Sequence, residues 1–187
     1  MKRTILTLFI SLLISGLSFA QQMEKVPKQY SLEAGYRYVL SSEFNNVAPT
    51  GYTFLFDYAW QLSGFGEKKA SYITVPIGYT IMPAGSPDDD PVRIVSYGWT
   101  VRHELAKNKK IVPWMGYGLL LNQYSEETVE GRLFGHQTRF SLGVNYMGFD
   151  RLIPFAKIEY SMTNFPIWGQ DKSKQYNFLE FKLGLRL

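Results

Sequence analysis

The chain has 187 residues, with 20 Lys+Arg, 16 Asp+Glu, two His, no Cys and a formal net charge of +4. The absence of cysteine excludes a disulfide framework, a thiolate metal site and a lipid-modified lipoprotein cysteine. The small net charge and the scatter of the basic residues exclude a nucleic-acid-binding patch. Aromatic residues reach 16% of the chain, led by 13 Tyr and 13 Phe.

The N-terminus reads as an export signal. "MKR" supplies the positive start, "TILTLFISLLISGL" the apolar run, and "SFA" a small-residue cleavage site ending at Ala20. Residues 1–20 are therefore expected to be removed, leaving residues 21–187 as one barrel domain. The uncharged stretch is too short and wrongly flanked for a spanning helix, and no later segment holds 18 consecutive apolar residues.

Downstream, the dominant period is two, which is the period of a strand with two unlike faces. Eight runs follow in chain order. "QYSLEAGYRYVL" places Tyr30, Leu32, Ala34, Tyr36, Tyr38 and Leu40 on one face. "YTFLFDYAWQL" does the same with Tyr52, Phe54, Phe56, Tyr58, Trp60 and Leu62. "YITVPIGYTI" aligns Ile73, Val75, Ile77, Tyr79 and Ile81. "VRIVSYGWTVRHEL" aligns Val95, Tyr97, Trp99, Val101 and Leu105. "IVPWMGYGLLLNQY" aligns Met115, Tyr117, Leu119 and Leu121. "QTRFSLGVNYM" contributes Phe140, Leu142, Val144 and Tyr146, and "FAKIEYSM" contributes Ala156, Ile158, Tyr160 and Met162. The chain closes with "YNFLEFKLGLRL", where Leu179, Phe181, Leu183, Leu185 and Leu187 alternate with Phe178, Glu180, Lys182, Gly184 and Arg186. Pro76, in the middle of the third run, removes a ladder donor and implies an edge, a bulge or a local defect. Pro113 sits at a run start, where it is tolerated.

The opposite parity reads as small or charged. Its charged members are Glu33, Asp57, Glu104, Glu159 and Glu180 against Arg37, Arg102, Arg139, Lys157, Lys182 and Arg186. An eight-stranded barrel has an interior just wide enough for side chains or one small ligand. The apolar set, which includes Trp60 and Trp99, is too large for that space. A sandwich would also present an apolar face, but it does not explain charges alternating with glycines on the other face. The small and charged face fits inside, provided its charges pair, because an unpaired buried charge is costly. The apolar face then meets lipid. The expected fold is all-β: an eight-stranded antiparallel up-and-down transmembrane β-barrel, closed because a bilayer tolerates no strand edges.

Connections alternate in length. "SSEFNNVAPT", "PAGSPDDDP", "SEETVEGRLFGH" and "NFPIWGQDKSK" are long and polar, whereas "AKNKK" and "GFDR" are short and "SGFGEKK" is intermediate. Tyr30, Tyr52, Tyr124 and Tyr176 fall near run ends, at expected girdle positions.

With "YITVPIGYTI", "PWMGYGLLLNQY" and the terminal strand, residues 28–187 resemble the small outer-membrane β-barrel proteins of Gram-negative bacteria. That resemblance implies an outer-membrane location, with both termini in the periplasm and the long loops outside. It also implies outer-membrane lipid and lipopolysaccharide as surroundings, the barrel-insertion machinery as an assembly partner, and a monomer. Members commonly end in an aromatic residue; here Leu187 takes that place. A structural or surface-interaction role without catalysis or cofactor is expected, with a narrow pore as one alternative.

A lipid A deacylase is the other alternative. That enzyme type resembles this architecture and carries a His-x-Ser-Asn motif on a late strand. The nearest stretch is "EYSMTNF", where Asn164 matches, Thr163 could supply the hydroxyl, and Ser161 stands in the histidine's place, so no base activates a nucleophile. His103 and Glu104 are adjacent on one run and point to opposite faces, so they form no dyad. His136 is expected in or beside the third long loop, and two isolated histidines argue against a metal site. Asp88–Asp90 reads as a solvated acidic loop, with calcium as the competing reading. "FPIWG", residues 165–169, reads as packing on the barrel rim, with contact to lipopolysaccharide or a partner as the competing reading.

Overall fold

The computed structural model describes residues 28–41, 49–62, 70–83, 91–106, 109–125, 133–149, 152–166 and 173–187. They form eight strands: β1 (Lys28–Val39), β2 (Thr50–Leu62), β3 (Ser71–Met82), β4 (Val92–Glu104), β5 (Ile111–Ser125), β6 (Leu133–Tyr146), β7 (Ile153–Pro166) and β8 (Ser173–Arg186). Each strand pairs antiparallel with its neighbour in sequence, and β1 pairs with β8 to close the barrel. Residues 1–20, expected to be an export signal, and the acidic run Asp88–Asp90 lie outside the described residues.

No strand pair slips register along its length. Following one inward row from Gln29 leads through Ala59, Thr74, Thr100, Gly118, Arg139, Ser161 and Phe178 to Val39. The circuit returns to β1 ten residues beyond its start. This stagger is the shear that tilts barrel strands, and because it is even, each parity closes on itself and the two faces never exchange.

The apolar parity is outside. Leu183, Leu142 and Leu32 are 70%, 65% and 63% exposed. Pro76 is a local defect, neither an edge nor a bulge. β3 and β4 pair from Ser71 to Thr74 and again from Ile77 to Met82, in the same register on both sides of the gap.

The inward face departs from the expected small-or-charged character. It also holds Leu55, Tyr72, Trp114, Leu120, Phe155, Tyr176 and Phe178. Cross-strand glycines make room for several of these. Trp114 pairs with Gly143, Phe155 with Gly184, Leu120 with Gly98, and Leu55 with Gly78. A Cβ on Gly143 would overlap the Trp114 ring, and one on Gly184 would overlap the Phe155 ring.

Strands also extend further into two of the long connections than the pattern predicts. β5 and β6 pair up to Tyr124 and Leu133, and β7 and β8 up to Pro166 and Ser173. His136 is therefore a strand residue, opposite Leu121 and Asn164. Of the "FPIWG" stretch, only the backbone of Phe165 and Pro166 falls among the described residues, at the end of β7.

Gly143→Val forces a branched side chain into the Trp114 ring and should destabilise the folded barrel by about 1–3 kcal/mol. Urea unfolding in detergent micelles measures the loss. In a Trp114→Ala background the same substitution should cost less, and an equal cost in both backgrounds would contradict the packing assignment.

Candidate functional site

The candidate site is the barrel interior. All eleven charged residues of the inward parity are buried: Glu33, Arg37, Asp57, Arg102, Glu104, Arg139, Lys157, Glu159, Glu180, Lys182 and Arg186. Seven form one continuous chain of ion pairs. Arg37 contacts Glu180 at 2.8 Å, and Glu180 contacts Lys182 at 2.9 Å. Lys182 reaches Glu159 at 2.9 Å, which also meets Lys157 at 3.2 Å and Arg139 at 3.6 Å. Lys157 ends the chain on Glu33 at 2.6 Å. Glu159 is the hub, serving three cations from β6, β7 and β8.

A second group lies toward the end that holds the termini. Arg186 donates to Asn145 at 2.9 Å, and Asn145 donates to Glu104 at 3.2 Å. Arg102 donates to Gln29 at 2.6 Å and stacks over the Tyr72 ring at 4.2 Å. Arg186 stands over Phe155 at 4.5 Å and Trp114 at 5.9 Å. The aromatic faces take up guanidinium surface that would otherwise be buried against apolar walls. Between the two groups lies a cavity of about 20 Å³ bordered by Asp57, Arg102, Arg139 and Arg186, with room for about one water.

Both ends of this polar interior are lined with apolar residues. Val39, Met82, Val92, Ile94, Tyr176 and Phe178 cluster at the end facing the longer loops. Arg37 stacks under that cluster, 4.7 Å from the Phe178 ring. Ala59, Ala70 and Tyr72 form a smaller cluster at the opposite end, where Trp114 and Phe155 also pack edge to face. The two larger concavities, about 910 and 560 Å³, are shallow and lie on the outside among residues such as Leu32, Phe54, Ile77 and Leu183.

The other candidates separate in space. Ser161 and Thr163 point into the barrel and are fully buried, and Thr163 lies 3.5 Å from Asn122. Asn164 is on the outward parity, so the three residues of the deacylase-like stretch do not converge. His103 faces outward, with Nδ1 2.8 Å from the Ser71 hydroxyl, while Glu104 faces inward. His136 is exposed on the outer surface. Among the described residues no group of three His, Asp or Glu could hold a metal ion.

The girdle expectation needs one correction. Tyr30 packs at a tilt against Tyr58 at 4.9 Å and Tyr52 meets Tyr36 at 5.6 Å, all on the outside. Tyr176 instead shares the parity of Phe178 and is buried inside. The side chain of Tyr124 is outside the described set. The inward aromatics Tyr72, Trp114, Phe155 and Tyr176 stand near run ends, where composition alone does not reveal which way a side chain points. Parity was the available signal: Trp114 alternates with Gly116 and Gly118, two of the inward glycines.

The sequence matches no protein-family model. It matches no curated protein either. Similarity appears in three dimensions. The structure of Neisserial surface protein A aligns over 86% of this chain and 96% of its own, with TM-score 0.65 and 16% identity. The outer-membrane enzyme PagL aligns over 85% of this chain and 98% of its own, with TM-score 0.51 and 12% identity. The chain thus has the fold of small eight-stranded outer-membrane β-barrels.

Glu159→Gln leaves Lys182, Lys157 and Arg139 sharing a neutral amide. Removing one partner of a buried ion pair costs about 3–5 kcal/mol, so the urea midpoint of the folded barrel should fall steeply. A midpoint equal to that of the parent would contradict the hub role.

Proposed function

We propose that this protein is an integral outer-membrane β-barrel with a structural or surface-interaction role and no catalytic site, exported through a leader spanning residues 1–20. One observation carries the reading: the exposed face is apolar around the whole barrel, while the charges are buried within it, seven of them in one chain of ion pairs. A soluble protein does not leave a surface of this extent bare, and a bilayer requires it. The termini and the connections after β2, β4 and β6 then face the periplasm. The connections after β1, β3, β5 and β7 face outward, where they meet lipopolysaccharide or another partner. The barrel acts as a monomer, and the insertion machinery is its assembly partner.

The apolar clusters at both ends and the filled charge network favour a closed interior over a narrow pore. The fold shared with an outer-membrane enzyme keeps the enzymatic alternative in view. Against it stand the inward orientation of Ser161 and Thr163 and the separation of His103 from Glu104.

Membrane fractionation with protease added to intact cells tests location and topology together. The protein should appear in the outer-membrane fraction as a heat-modifiable band, with cleavage confined to the connections after β1, β3, β5 and β7. Recovery as a soluble periplasmic protein would contradict the proposal. Purified protein in planar bilayers should show no single-channel conductance, and reproducible steps of current would restore the pore reading.

A further inference from the structure

The two ends of the barrel differ in charge. At the end holding the termini, the connections spanning 63–70, 105–110 and 147–152 carry six Lys+Arg and two Asp+Glu. At the other end, the connections spanning 40–49, 83–91, 126–132 and 167–172 carry eight Asp+Glu and two Lys+Arg. Among the described residues of the first end, Lys28, Lys109 and Lys110 are exposed.

These lysines border an aromatic and aliphatic belt. Lys28 is the cross-strand partner of Trp60. Trp60 packs on Tyr58 at 4.3 Å, and Tyr58 on Tyr30 at 4.9 Å. The backbone carbonyl of Lys110 accepts from Met147 N at 2.7 Å, joining the β4–β5 connection to the one that carries Phe149. Phe149 packs against Tyr146 at 5.8 Å, and Ile111, immediately after Lys110, is 60% exposed. Cations just beyond an aromatic and aliphatic ring match the depth profile of a membrane interface, with phosphates outside and acyl chains inside.

We propose that this rim is a docking surface for anionic phospholipid headgroups, with Lys28, Lys109 and Lys110 as contacts to the phosphates. The inference rests on the membrane-barrel reading and deepens it by naming the lipid class and the end that takes it.

The full chain is folded into vesicles of equimolar phosphatidylglycerol and phosphatidylcholine and extracted in mild detergent, and the lipids retained per barrel are counted by mass spectrometry. The parent protein should retain phosphatidylglycerol in clear excess. The excess should fall on the order of tenfold in a Lys28→Gln, Lys109→Gln, Lys110→Gln variant, and should shrink for the parent in 1 M salt, where the screening length is about 3 Å. Heat-modifiable migration reports folding independently. A folded parent retaining both lipids equally, or a folded variant with undiminished preference, would overturn the lipid assignment alone. A chain that fails to fold into either lipid would overturn the membrane-barrel reading and this inference with it.

Discussion

Closure of the sheet between its first and last strands is the constraint from which the other features follow. Tyr30 N donates to Leu187 O at 3.0 Å, and Leu187 N donates to Tyr30 O at 2.8 Å, at the foot of a ladder that continues to Val39 and Phe178. A strand surrounded by hydrocarbon has no water to satisfy its peptide groups, so an open edge is prohibitively costly there. With eight strands and an even stagger, closure divides every residue between a lipid-facing exterior and a narrow interior. The exterior needs only apolar side chains of suitable size. The interior must fill its volume and neutralise its charges at once.

The interior meets both demands by pairing unlike neighbours. Glu159 collects three cations, and Arg102 and Arg186 lie against aromatic faces. Large residues stand opposite glycines, so that Trp114 and Phe155 fit where two ordinary side chains would collide. Buried ion pairs of this kind are weak net stabilisers but severe penalties when broken.

Much of the architecture was legible from parity alone. The eight runs, their faces and the inward direction of Glu33, Arg37, Glu180 and Arg186 can be read from alternation, because a period of two leaves only two choices per strand. Parity does not supply register, and register decides the contacts. Neither the opposition of Trp114 to Gly143 nor the meeting of Lys157 with Glu33 across the closing seam is written in local pattern. Run ends were the other blind spot. Tyr176 resembles an interfacial aromatic by type and position, yet it stands two positions before inward Phe178, which fixes its direction. "SEETVEGRLFGH" reads as a loop by its polarity, but Leu133 to His136 already pair with β5 and carry His136 onto the outer wall.

The claim that the greasy face is the outer one is tested most directly by tryptophan fluorescence in vesicles with brominated acyl chains, which quench on contact. Trp99 is 42% exposed on the outer wall, and Trp114 is 4% exposed inside. Two variants are compared, each retaining one of these residues and replacing the remaining tryptophans with phenylalanine. Strong quenching of Trp99 together with unquenched Trp114 is the predicted result. Quenching of Trp114 with Trp99 protected would contradict the assignment of the two faces.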